Sequence, residues 1–166
     1  MFFWFVGTAC ATVWFVFRDD RFDYRVLVLG ALLPDLVDVA WGGARMLHSV
    51  TASTVVLAAV MFATSRGTDT RRRWLALPIG MFLHLVFDGA FADAVTFWWP
   101  VSGLSLSDAP LPSIERGLLN LPLEIVGLVL VVWLARSHGI VGRSAMREFV
   151  RSGRLVHRPD PRVGPC

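Results

Sequence analysis

The sequence predicts an all-α polytopic membrane protein of about five transmembrane helices, with the second helix broken by a proline. Three observations carry this expectation. Of 166 residues, 55% are hydrophobic and only 17% charged, with a mean hydropathy of +0.58, well above the balance of a soluble domain. The apolar residues fall in five runs separated by short polar segments, and a run of about 20 apolar residues crosses a bilayer. Pro34 stands inside the second run, where a missing backbone donor bends or breaks a helix. Five such spans nearly exhaust the chain, which leaves one membrane domain and no soluble module.

The first run, Phe2 to Phe17, is rich in aromatics and ends at Arg18-Asp19-Asp20-Arg21. It is short for a span, yet workable in a thin bacterial membrane. It lacks a positively charged leader, and Gly7-Thr8-Ala9-Cys10 lacks the aliphatic residue of a lipoprotein cleavage site, so it reads as a retained span. The second run, Val26 to Gly43, contains GALLPDLVD (Gly30 to Asp38). The third, His48 to Thr64, opens with small and β-branched residues suited to close helix packing in lipid. A polar stop, Ser65 to Arg73, precedes the fourth run, Trp74 to Phe91. A long loop, Ala92 to Gly117, carries Trp98-Trp99-Pro100, and the fifth run is Leu118 to Leu134. Cys10 and Cys166 have neither disulfide nor metal-type spacing to a second cysteine.

Every basic side chain is arginine, and fourteen of the 16 fall in segments 18–25, 65–73 and beyond 135. With the N-terminus outside and the C-terminus cytoplasmic, these segments are all on the inner side and only Arg45 and Arg116 lie outside. The net charge of +3 therefore reports membrane orientation, and no nucleic acid is expected as a partner. Residues 1–138 form the transmembrane domain. In 139–158, Arg143, Arg147, Arg151, Arg154 and Arg158 line one helix face beside Met146, Phe149 and Val150. This pattern predicts an amphipathic helix on the anionic lipids of the inner leaflet. Residues 159–166, with Pro159, Pro161 and Pro165, read as a disordered tail.

Within this framework, five residues fall at one depth in the outer leaflet: Asp35, Asp38, His48, His84 and Asp88. Ionisable groups inside a membrane are costly and mark functional sites. Asp35 and Asp38, three apart, share a helix face, and His84 and Asp88, four apart, reach one ion from a single turn. Two imidazoles with carboxylates suit a divalent metal of the Zn, Mn or Fe type, with zinc first. Five donors exceed the four of a closed zinc site, so the centre is dinuclear, or some of the five orient the others. Such a centre lowers the pKa of water from 15.7 to about 7 and steadies charge on a phosphoryl or acyl oxygen. Asp38 is a ligand or the base. Arg45 is placed to hold a phosphate headgroup, and Ser49 to hydrogen-bond substrate or a ligand. Trp98 and Trp99 favour the headgroup level, over a lateral path from the lipid. Glu124 and Asn120, four apart on the fifth span, extend this site or cap a polar helix contact.

GALLPDLVD, LHSVTAS, GMFLHLVFDGAF and FWWP, in that order from Gly30 to Pro100, resemble the membrane-bound metal-dependent hydrolases. Some members of that family are described as LexA-binding and inner-membrane-associated. Asp35 and Asp38 match its acidic segment, His48 and Ser49 its His-Ser pair, and His84 and Asp88 its late His/Asp pair. The resemblance implies a helical membrane protein with a zinc-type site and hydrolase activity. Three features depart from the family: no histidine precedes His48, the acids stand as PDxxD rather than PDxD, and Arg45-Met46-Leu47 replaces Arg-Gly-x-Thr. The missing histidine points to a mononuclear site or an inactive relative.

The expected function is metal-dependent hydrolysis of a lipid-linked, phosphate-bearing substrate at the outer leaflet of a bacterial plasma membrane. Two other classes use the same residues. A small proton or metal transporter needs a polar route continuing inward, and the inner halves of the runs offer little beyond Thr and Ser. A non-catalytic subunit needs a membrane-protein partner, with its acids bound by arginines.

Overall fold

The computed structural model of the chain describes residues 1–19, 21–39, 46–104 and 116–155. Among these residues it is all-helical, with no strand. Seven α-helices follow in order: α1 Phe2–Phe17, α2 Tyr24–Val39, α3 Val50–Ala63, α4 Asp69–Asp88, α5 Ala94–Phe97, α6 Asn120–Ser137 and α7 Arg143–Ser152. Short 3-10 turns, Met46–His48, Ala90–Ala92 and Gly117–Leu119, lead into or out of them.

Local chemistry sets the boundaries. Asp23 Oδ1 accepts the backbone N–H groups of Arg25 and Val26 and so caps the start of α2. Ser49 and Thr68 cap α3 and α4 by accepting from Ala52 and Arg71. Gly89, at φ +69, closes α4 in the left-handed conformation that glycine enters without penalty. Pro34 is accommodated inside α2 and is fully buried there.

The core is two close helix crossings. α2 packs along α4, and α1 along α6. At the first crossing, a Cβ on Gly30 would overlap the Leu77 carbonyl oxygen, and one on Gly80 would overlap that of Leu27. At the second, Gly7 and Gly127 stand against each other's helix backbone in the same way. The small residues that permit close approach are thus these four glycines rather than the Ser/Thr/Ala start of the third run. On α3, only Ser53 is buried.

The five-span architecture is corrected. Among the described residues, one helix, Gly117–Ser137, is long and apolar enough to cross a membrane, with mean hydropathy 2.2 and 11% of that window buried. α1 and α3 are apolar, but at 16 and 14 residues they reach only about 24 and 21 Å, short of a hydrocarbon core of about 30 Å. α2 is also 16 residues long and carries Asp35 and Asp38. α4 spends its first turn on Asp69 to Arg73. The runs are real, but among the described residues only the fifth forms a helix long and apolar enough for a span.

The arginine-rich segments gather at one end of the bundle. There Arg73 and Arg25 pair with Asp23 at 3.1 and 2.8 Å, and Arg72 with Asp19 at 3.5 Å. α7 docks at the same end, where Arg25 Nη1 donates to the carbonyls of Val150 and Arg151 and Tyr24 N–H to that of Gly153. This helix is shorter than the expected 139–158: Gly153, at φ +73, ends it after Ser152, which leaves Arg154 beyond it. Arg158 and the 159–166 tail lie outside the described residues.

Candidate metal centre

At the opposite end of the bundle, α2, α4 and the Met46–His48 turn bring Asp35, Asp38, His48, His84 and Asp88 together. Asp35 and Asp38 lie a turn apart on α2, just after Pro34. The proline removes the donor that the Gly30 carbonyl would have met. One residue on, the Ala31 carbonyl accepts from His84 Nδ1 at 2.7 Å. His48 comes from the tight turn packed on α2, and His84 and Asp88 come from the last turns of α4.

Both histidines are oriented by an acceptor on one ring nitrogen. His48 Nδ1 donates to Asp38 Oδ2 at 2.7 Å, and His84 Nδ1 to Ala31 O. Neither partner has a hydrogen to give, so Nδ1 carries the proton and Nε2 keeps its lone pair in each neutral ring. The two Nε2 atoms converge on one carboxylate oxygen: Asp35 Oδ1 is 3.4 Å from His48 Nε2 and 3.5 Å from His84 Nε2. Both separations exceed those of good N–H···O hydrogen bonds. Asp35 Oδ1, His48 Nε2 and His84 Nε2 are buried and make no hydrogen bond. Buried polar atoms without partners are costly in native proteins, and here three of them, all metal-type donors, face one point. Asp35, His48 and His84 can therefore hold a metal ion.

The other predicted residues take different places. Asp38 lies behind His48 and fixes its ring. Asp88 Oδ1 accepts from Arg116 Nη2 at 3.1 Å, and the same nitrogen donates to the Asp88 backbone carbonyl. Asp88 Oδ2 remains buried without a hydrogen bond, 3.9 Å from His48 Nε2. Ser49 is buried and occupied locally: its hydroxyl accepts from Ala52 N–H and donates to the Met46 carbonyl. Arg45 lies outside the described residues. Glu124 caps α1 by accepting from Phe3 N–H at 2.8 Å and does not extend the site. Of the FWWP segment, Phe97 ends α5 and Trp98 to Pro100 form the turn after it, and α5 packs beside the Met46–His48 turn.

Access is one-sided. The Asp35 side chain is 19% exposed, whereas His48, His84, Asp38 and Asp88 are closed off. Phe5 covers His84 with ring centroids 4.0 Å apart. Sequence reasoning did not assign Arg116 or Phe5 to the site. The available signal for Arg116 was its isolation, as one of two arginines away from the arginine-rich end.

In comparisons with known proteins, no family model matches the chain, and no curated protein or solved structure matches it at a significant level. The resemblance to the membrane-bound hydrolases rests on the motifs alone.

Proposed function

We propose that this protein is a metal-dependent hydrolase of lipid-linked, phosphate-bearing substrates, seated in a bacterial plasma membrane with its arginine-rich end cytoplasmic. The observation that carries the reading is the convergence of Asp35 Oδ1, His48 Nε2 and His84 Nε2 without hydrogen bonds. Zinc is the metal of choice. Bonds of about 2.1 Å in a tetrahedral centre set donors about 3.4 Å apart, which is the spacing from Asp35 Oδ1 to each imidazole. Three protein donors with an open fourth position are the arrangement of catalytic zinc sites. Mn or Fe remain compatible with the same donor set.

A divalent ion bound there supplies Lewis acidity, which makes water nucleophilic near neutral pH and draws charge from a phosphoryl or acyl oxygen. The protein's own groups do the rest. Asp38 and the Ala31 carbonyl hold the imidazoles in their donor tautomers. Asp88 Oδ2 takes up a proton, while Arg116 anchors the other oxygen of that carboxylate and keeps it in place. Phe5 and the packed faces of α2 and α4 exclude bulk water, and substrate enters at the exposed edge of Asp35.

The exterior supports a membrane seat. Apolar side chains face outward, with Phe62 92% and Leu118 91% exposed, while the ionisable cluster is inside. Soluble proteins rarely expose large contiguous apolar patches. A non-catalytic subunit has one observation in its favour, the capture of Asp88 by Arg116. Asp35 instead faces the histidines His48 and His84.

The test is hydrolysis in mixed micelles of lipid phosphomonoesters, read as free phosphate, and of lipid phosphodiesters, read as the phosphomonoester and alcohol they split into. Wild-type protein is expected to turn over at least one class, and Asp88→Asn to lower the rate by about 10²–10⁴-fold. Equal hydrolysis by wild type and Asp88→Asn, or none from metal-loaded protein across both classes, contradicts the proposal.

A further inference from the structure

A groove of about 380 Å³ runs between α1, α3 and α4 and is lined among others by Val16, Ser53, Leu57, Ile79, Phe82 and Leu83. No charged side chain lines it, and its volume falls in the range of ligand sites. Along the chain it borders the metal centre: Ser53 follows His48 by five residues, on α3, and Ile79 to Leu83 lead up to His84 on α4. Its mouth is flanked by the exposed side chains of Val16, Leu57 and Phe82, so it opens onto the apolar exterior.

Thr12, Ser53 and Thr54 bring hydroxyls to this lining, and that of Ser53 is buried without a partner. Ser53 is 4% exposed, and its hydroxyl makes no hydrogen bond. The neighbouring Thr54 satisfies its own hydroxyl by donating to the Val50 carbonyl at 2.9 Å. A buried hydroxyl left unpaired is costly, and a ligand that offers it an acceptor relieves that cost. An uncharged groove flanked by exposed apolar side chains, with one buried unpaired hydroxyl on its wall, suits an acyl chain that carries a carbonyl.

We propose that this groove seats the acyl chain of the lipid substrate, with the ester or amide carbonyl of that chain accepting from Ser53 Oγ. The inference rests on the lipid-hydrolase reading and narrows its substrate class to acyl-bearing lipids. The chain lies along Leu57, Ile79 and Phe82, and the carbonyl at Ser53 sets the distance from chain to phosphate.

The test uses full-length protein in phosphatidylglycerol nanodiscs, with a phosphatidic acid carrying a diazirine on its acyl chain and with its ether-linked counterpart, which lacks the carbonyl. Labelled peptides are mapped by mass spectrometry, and metal content is measured on the same sample. Label from the ester probe is expected to concentrate on Leu57, Ile79 and Phe82. It should exceed that from the ether probe by about fivefold, the worth of one net hydrogen bond. Ser53→Ala should erase the ester preference, and Leu57→Trp should displace the label from the groove. Label spread evenly over the groove and the outward residues Ile125 and Val129 of α6, with no ester preference, overturns the proposal even if the protein holds metal. Groove labelling with ester preference in metal-free protein sustains it and removes the hydrolase reading instead.

Discussion

Asp35 and Asp38 show how one spacing serves two purposes. Three residues apart on α2, they share a face, and that much was legible in PDLVD. What separates their roles is His48, which presents Nδ1 to Asp38 and Nε2 to Asp35. The placement of that ring depends on the turn Met46–His48, which no periodicity announces. Asp38→Asn should therefore leave the metal donors intact and weaken metal affinity by about 10–100-fold, measured by competition with a chromogenic chelator. An unchanged affinity would remove Asp38 from its orienting role. The pairing of His84 with Asp88 was also legible, as a four-residue spacing on one helix. The capture of Asp88 by Arg116 was not, because Arg116 lies 28 residues further along the chain.

Helix pairing depends on glycine. Gly30 with Gly80, and Gly7 with Gly127, let backbones meet where any side chain would collide with a carbonyl. Gly80→Ala should lower stability by about 1–3 kcal/mol or more, as overpacking does, and should loosen the metal centre, since α2 and α4 carry three of its acids and one histidine. Thermal unfolding in detergent with bound metal as a second readout checks this, and an unperturbed melt would contradict the crossing. Glycine within an apolar run does not by itself reveal which helix it faces, so the sequence pointed to the Ser/Thr/Ala start of α3 instead. The basic helix was foreseen from its arginine spacing, though Gly153 shortens it. Its docking depends on Asp23 and Arg25. Burial pushes the Asp23 carboxyl up, but the hydrogen bonds and charge of Arg25, with the Val26 N–H, outweigh it and hold that carboxyl below its usual range. A group whose folded pKa is depressed stabilises the fold above its unfolded pKa of about 3.9 and loses that contribution as pH falls further. Hydrogen exchange of α7 should therefore accelerate as pH drops below about 4, relative to the intrinsic rate. In Asp23→Asn this extra acid sensitivity should be absent; its persistence would assign the effect to another group.

The molecule exposes large apolar side chains while a buried ionisable cluster sits beside its apolar core. Composition made the helical class legible, but it overcounted spans, because hydropathy registers apolar runs whether or not their helices are long enough to cross a bilayer. Gly117–Ser137 alone among the described helices meets both conditions. Val129→Arg, near the middle of that helix and exposed, should cost about 2.5–3.5 kcal/mol of insertion and reduce the membrane-fraction yield; equal yields would argue that this helix does not lie in lipid. The account stands or falls on whether the converging donors hold an ion. The decisive measurement is metal content by mass spectrometry on detergent-purified protein, wild type beside His84→Ala and Asp35→Ala. Stoichiometric zinc, manganese or iron in the wild type, lost in both variants, is the predicted result. Metal-free wild-type protein that stays folded after chelation and takes up none of these ions on addition would contradict it.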